Sequence, residues 1–355
     1  MISIDHLPGE IHGAINHLAK DIEFTSESEK GANGYVLLGC NNILEREVAV
    51  KFYFWEGSDH AEPKLLAKLE HPNIIRVFDA SKVDDDFAYF VTPLCAGGDL
   101  DNVLDNTRFG SKEAIDVCMQ VAAGAGFLHG SGFLHRDLKP QNIFCDNDRY
   151  MIGDFGSVVP CNGDGYAKCL TKHSLIYRPP ETVQSNSYFK SSDVYQLGIL
   201  LYQLLGGSLP YSERDWLTPR QQDKYDELTG FDQQDFASKI IEQRITAGKI
   251  LNYASLPDSV PGSLKSIIRQ CLRVGPGDRY QSCADLSAAL NNVRGQVYDW
   301  VFDEHPVLRK KGKIIRILES GSGIVIEKDT GTGWRRQHAL KPTTLAEAYR
   351  IAEEQ

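Results

Sequence analysis

From Ile22 to Phe54 apolar and polar residues alternate, most plainly in Tyr35-Val36-Leu37-Leu38 and Glu47-Val48-Ala49-Val50-Lys51-Phe52. A period of two puts successive side chains on opposite faces, so this stretch predicts two or three antiparallel strands. Ala61 to Leu69 then carries Leu65, Leu66 and Leu69 at helical spacing. His71-Pro72 ends that helix, because the residue before a proline is pushed out of the α region. Ile74 to Asp79 and Phe87 to Thr92 read as further strands around the acidic turn Asp84-Asp85-Asp86. The first 95 residues are expected to form a sheet with one helix, behind an N-terminal extension at residues 1–21.

After Gly97-Gly98 the period becomes helical. Ser111 is the expected N-cap of a helix over Glu113–His129, where Ile115, Cys118, Val121, Ala122, Ala125 and Leu128 form one apolar stripe. In Ser192–Leu205 the apolar residues spread so widely that the helix belongs in the middle of a helical lobe. Residues 133–181 between these helices hold Gly, Pro and short β-like runs, and read as loops on a helical platform, where chemistry is expected. Thr218–Asp235 is polar and reads as a surface connection, followed by helices at Phe236–Thr246, Ser263–Arg273 and Ala284–Arg294. Beyond Gly295 strands return at Lys313–Glu319, Ile324–Lys328 and Trp334–Leu340, with Gly-rich turns between them and a helix at Thr344–Ala352. The expected organisation is a bilobal α+β unit over residues 22–294, with lobes at about 22–95 and 96–294, and a small β-rich accessory module at 295–355.

The 355 residues include 42% hydrophobic and 24% charged, which is ordinary globular usage and excludes disordered or collagen-like classes. A net charge of −10 argues against a globally basic nucleic-acid binder. No apolar run reaches the roughly 18–20 residues needed to span a bilayer, and Met1–Asp21 lacks a basic start before an apolar stretch. A cytoplasmic protein with no membrane contact is expected. The eight cysteines contain no C-x-x-C pair and read as buried free thiols.

The run His135-Arg136-Asp137-Leu138-Lys139-Pro140-Gln141-Asn142, followed by Asp154-Phe155-Gly156, resembles the catalytic and metal-binding loops of eukaryotic-type serine/threonine protein kinases. Val48-Ala49-Val50-Lys51 resembles the strand that supplies the kinase lysine, and Pro179-Pro180-Glu181 the segment that closes the activation loop. The resemblance covers about residues 22–294 and implies a protein kinase fold, ATP as co-substrate, Mg2+ or Mn2+, and a protein substrate bearing Ser or Thr. It implies that Lys51 pairs with the α and β phosphates and is held by a helix carboxylate, for which Glu62 is the candidate ahead of Glu56 and Glu70. Asp137 would orient the attacking hydroxyl, and Lys139 would neutralise charge on the γ-phosphoryl group. Asn142 and Asp154 would supply oxygens to the metal ion.

The phosphate-covering loop departs from the family pattern, with Glu29 at the place of the first glycine, while Gly31 and Gly34 remain. Thr92, Pro93 and Cys95 align with the segment that meets adenine, and the Cys95 amide is the expected donor because Pro93 has none. Val36, Ala49 and Phe144 would sandwich the base, and Asp99 would reach the ribose. Thr171 and Ser174 are the candidate hydroxyls for autophosphorylation, with Arg136 placed to pair with an added phosphate. Glu181 is expected to pair with Arg279, and Asp193 with the backbone of the catalytic loop. The runs Arg309-Lys310-Lys311-Gly312-Lys313 and Trp334-Arg335-Arg336 carry charge and an aromatic, a composition suited to an acidic protein or single-stranded nucleic acid, or to a solvated face. The rival to an enzyme is a pseudokinase scaffold that acts through residues 295–355.

Overall fold

The computed structural model describes residues 2–28, 34–54, 68–168, 174–302, 304–321 and 323–355. Helix α1 (Gly9–Leu18) leads into an antiparallel sheet in the order β1 (Ile22–Ser28), β2 (Gly34–Asn41), β3 (Arg46–Phe54), β5 (Phe87–Pro93), β4 (Asp79–Lys82). Alternation along β3 sends Val48, Val50 and Phe52 to the outer face and Ala49 and Lys51 to the inner one. The outer face is not left to solvent. Ile11, Ile15 and Leu18, at i, i+4 and i+7 on α1, pack on it with Phe24, Val48, Val50, Phe52 and Tyr89. The segment read as an extension is thus a helix covering the sheet. The expected helix at 61–69 lies almost wholly outside the described residues.

The strand expected at Ile74–Asp79 is displaced. Ile75 N–H donates to Ile152 O at 2.8 Å and Ile152 N–H to Asn73 O at 2.9 Å, so residues 73–75 join the helical lobe. The sheet's edge strand begins only at Asp79.

The helical lobe contains α2 (Leu100–Asn106), α3 (Ser111–Gly130), the short pairs β6 (Phe133–Leu134) with β9 (Val159–Pro160) and β7 (Ile143–Asp146) with β8 (Arg149–Ile152), and β10 (Tyr166–Lys168) beside β11 (Ser187–Phe189). Helices α4 (Pro180–Ser185), α5 (Lys190–Leu204), α6 (Pro219–Glu227), α7 (Gly230–Thr246), α8 (Gly262–Cys271) and α9 (Cys283–Arg294) complete it. Every residue of α5 after Lys190 is buried, which makes it the axis of the lobe.

Two expectations fail here. The N-cap of α3 is Gly110, and Ser111 is its buried first residue. The polar connection holds α6, a helix with no buried residue, which starts through Pro219 at its first position and Thr218 bonded to Gln221. Helix α7 consequently starts six residues before Phe236.

Residues 299–354 form a meander of β12 (Asp299–Phe302), β13 (Pro306–Lys310), β14 (Lys313–Ser320), β15 (Gly323–Asp329) and β16 (Arg335–Arg336), closed by α10 (Leu345–Glu354). Trp300, Leu308, Ile315, Ile317, Ile326 and Tyr349 form its core. The strand expected at Trp334–Leu340 shrinks to two residues. The late basic residues have local work: Lys310 Nζ donates to Glu353 O at 2.7 Å and Lys313 Nζ to Gln355 O, so both cap the terminal helix. Arg316 pairs with Glu327 at 2.6 Å and lies 4.2 Å over the Trp334 ring.

Among the described residues the cysteines are free and five are buried. Burial pushes the Cys95 thiol up to about 11 and Cys118 to about 12. No helix among the described residues is long and apolar enough to cross a membrane.

Ile11→Ala should lower stability to urea unfolding by about 2–5 kcal/mol, the usual effect of emptying a fully buried aliphatic site. A change below about 0.5 kcal/mol, within the surface range, would mean that α1 does not rest on the sheet.

Candidate active site

The loop 135–142 between β6 and β7 is held from below by α5. Asp193, fully buried in the first turn of that helix, accepts from Arg136 N–H at 2.9 Å and His135 N–H at 3.0 Å. The same carboxylate bonds His129 Nε2 at 2.7 Å and the Tyr188 hydroxyl at 3.1 Å. One turn on, Gln196 accepts from Leu138 N–H at 2.8 Å and donates to Arg136 O at 2.8 Å. These bonds hold Arg136 at φ +73°, a left-handed conformation that costs a non-glycine residue about 1–3 kcal/mol. The expected tie of Asp193 to the loop is therefore present. Gln196, Tyr188 and His129 were missed, and only Gln196 carried a signal, as a polar residue at i+3 from Asp193 in an apolar helix.

The held loop presents its chemistry as one cluster. Asp137 is buried; its Oδ2 pairs with Lys139 Nζ at 2.8 Å and accepts from Asn142 Nδ2 at 2.9 Å. Its Oδ1 has no protein partner among the described residues, which leaves a buried acceptor open. Lys139 Nζ also donates to Ser174 Oγ at 2.7 Å, so this candidate phosphosite is engaged by the loop. Arg136 donates from Nη1 to Ser157 O at 3.3 Å, at the start of the activation segment. Thr171 lies outside the described residues.

From above, β3 brings Lys51 into an ion pair with Asp154. Asp154 sits at φ +54° and accepts from Gly156 N–H at 3.4 Å. Burial alone would raise its carboxyl, but the Lys51 ammonium and its hydrogen bond, with Lys139 beyond, hold it below the ordinary range. Phe155 beside it is buried and meets Phe90 edge-on at 5.9 Å, tying this loop to β5. Glu62, the expected carboxylate for Lys51, and Glu56 lie outside the described residues. Glu70 is exposed, 3.9 Å from Arg76.

Lys51, Lys139, Asn142 and Asp154 line one cavity of about 620 Å3 together with Val36, Ala49, Thr92, Pro93, Cys95, Asp99 and Phe144. Leu38 and Ile75 line it too and were missed. Leu38 lay in plain alternation, two residues past Val36, whereas Ile75 arrives through the displaced segment. Gly34 is not on the wall: at φ +145° a Cβ there would stand 2.0 Å from Phe52 O, so this glycine lets β2 approach β3. Gly31 and Glu29 lie outside the described residues. No group of three or more His, Cys, Asp or Glu among the described residues is placed to hold a metal ion. One carboxylate and one amide oxygen do suit Mg2+, which completes its octahedron with phosphate oxygens and water.

A two-lobed molecule with this loop cluster between the lobes is the architecture of the protein kinase domain, and the pattern defining that family matches residues 27–290. The chain belongs to the protein kinase domain family. Ribosomal protein S6 kinase alpha-6 of Danio rerio is 28% identical over 279 residues, 76% of this chain and 35% of its own length. Serine/threonine-protein kinase PrkC of Bacillus subtilis is 26% identical over 310 residues, 84% of this chain and 43% of its own. Calcium/calmodulin-dependent protein kinase type 1 of Caenorhabditis elegans is 36% identical over 199 residues, 54% of each chain. The chain thus spans between about a third and a half of the length of these relatives.

Asp193 also has a carboxyl below the ordinary range: burial raises it, but the hydrogen bond and charge of His129 and the Arg136 amide outweigh burial. A lowered folded value means that the unfolded chain binds the proton first. The stability from Asp193 and Asp154 is therefore full at neutral pH, starts to fall near the ordinary value of about 3.9, and is lost below the lowered values. Asp193→Asn should cost about 3–5 kcal/mol at pH 7 by setting an NH2 against N–H donors, and should flatten the acid limb of the stability curve. Urea unfolding followed by tryptophan fluorescence across pH 3–7 checks both; an unchanged acid limb would contradict the assignment.

Proposed function

We propose that the chain is an ATP-dependent serine/threonine protein kinase, transferring the γ-phosphoryl group to a protein hydroxyl. The observation that carries the reading is the open Asp137 Oδ1, beside Lys139 at the end of a cleft that also holds Lys51, Asn142 and Asp154. In this reading the substrate hydroxyl donates to Asp137, and the carboxylate aims its oxygen at phosphorus. Lys139, 2.8 Å from Asp137, meets the charge developing on the transferred group. Lys51 exchanges part of its pairing with Asp154 for the α and β phosphates. Asn142 and Asp154 would hold Mg2+ or Mn2+, which screens the phosphate charge when bound. Val36, Ala49 and Phe144 supply apolar surface to adenine, the Cys95 amide donates to the ring, and Asp99 receives the ribose.

Phosphoryl transfer of this kind needs placement and charge, both of which the cluster supplies without a covalent intermediate. Autophosphorylation on the activation segment belongs to the same proposal. Thr171 is favoured over Ser174, whose hydroxyl Lys139 already engages, and Arg136 is the proposed partner of the phosphate. A scaffold working through residues 295–355 has no physical need for Lys51, Asp137, Asn142 and Asp154 together.

Transfer from γ-labelled ATP with Mg2+ to generic Ser/Thr protein substrates tests the reading. Asp137→Ala should lower the rate about 10^2–10^4-fold, the span of positioned acid–base groups. Ser174→Ala should fold normally and lose less, because it removes only one tie of Lys139. Equal transfer by wild type and Asp137→Ala, or none by wild type, would overturn the proposal.

A further inference from the structure

We infer that Arg108 and Phe302 are positioning residues for the cleft: the module at 295–355 holds the C-terminal end of α2, and α2 carries Asp99 and Asp101 on the cavity wall. The kinetic consequence rests on the kinase reading above; the structural one does not.

Helix α2 has seven residues, of which Leu100 alone is buried, and so short a helix does not persist on its own. It depends on what holds its ends. At the start, the Asp99 carboxylate accepts from Asn102 N–H at 2.9 Å, and the Asp99 backbone bridges to Phe144. In the first turn, the Tyr211 hydroxyl donates to Asp101 at 2.6 Å. At the far end Thr107 N–H closes the helix on Val103 O at 2.7 Å, and the next residue is Arg108.

Arg108 reaches from the helical lobe to the C-terminal module. Its backbone bridges to Phe302 of β12, and its guanidinium lies 4.0 Å over the Phe302 ring. A guanidinium stacked in this way is attracted to the negative face of the ring. Two residues on, Gly110 touches the same strand so closely that a Cβ would stand 1.8 Å from Trp300 O. Trp300 is itself fixed, edge-on to Tyr349 at 4.8 Å and donating from Nε1 to Glu353 at 2.9 Å.

The clamp is linked to the cleft along α2. A side cavity of about 270 Å3 has Thr107, Arg108 and Phe109 in its wall and shares Asp101 and Tyr211 with the main cavity. Freeing Arg108 releases the C-terminal anchor of α2 and loosens from that end the helix that carries Asp99 and Asp101. Lys139 and Asp137 stand on a loop held by α5 and stay in place. The effect is therefore on binding more than on the chemical step.

Phe302→Ala and Phe302→Tyr in the full chain test this by hydrogen exchange and steady-state kinetics. In Phe302→Ala, amides of residues 99–109 should exchange about tenfold faster while those of 34–54 keep their rates, and Phe302→Tyr, which keeps the ring, should match wild type. KM for ATP should rise about three- to tenfold in Phe302→Ala with kcat within about twofold of wild type. Unchanged exchange at 99–109, or an equal rise in both lobes, would overturn the inference. So would a fall in kcat at constant KM. Should Phe302→Ala fail to fold, Arg108→Lys, which keeps the charge but loses the planar stack, decides by the same readouts. If wild type transfers no phosphate, the kinase reading falls while the exchange experiment still judges the clamp.

Discussion

The carboxylate of Asp193 receives four donors in a site that solvent does not reach, and the active geometry follows from it. Two of the donors are successive amides of the loop 135–142, those of His135 and Arg136. Bonds to an ionised acceptor are stronger than neutral ones, which is what keeps Arg136 in its unfavourable backbone conformation. With Arg136 fixed, the next residue, Asp137, has its direction set. The loop is thus a rigid attachment to the axis of the helical lobe, and α5 can serve because nearly all of it is enclosed.

The other lobe supplies its share through a sheet covered on both sides. Inner-face alternation delivers Lys51, and the outer face is sealed by α1. The ion pair of Lys51 with Asp154 and the contact of Phe155 with Phe90 are where the lobes register against each other. Neither lobe holds the whole site. Asp154 belongs to the helical lobe in sequence, yet its charge state is governed first by burial and then by a lysine of the sheet.

The cluster was legible because the family's motifs fix residue type at fixed spacing: Lys51, Asp137, Lys139, Asn142 and Asp154 stand in such short motifs and line or adjoin one cleft. What supports them was less so. The partners of Asp193 lie up to 64 residues away, and a single chain does not display such pairings. Helix α1 was legible and unread, since Ile11, Ile15 and Leu18 have helical spacing. Helix α6 has no apolar face, and only Thr218, Pro219 and Gln221 announce it. The apolar run at 74–77 had the pattern of a strand, but its hydrogen bonds go to Ile152, a choice that depends on a segment far along the chain.

Cys95 lines the cavity between the lobes, and burial raises its thiol to about 11. At pH 7.5 only about one molecule in several thousand then carries the nucleophilic thiolate. Electrophilic inhibitors that rely on capturing a cysteine would find this one slow to alkylate, and reversible contacts with the cleft walls are the better basis for chemical probes of this protein.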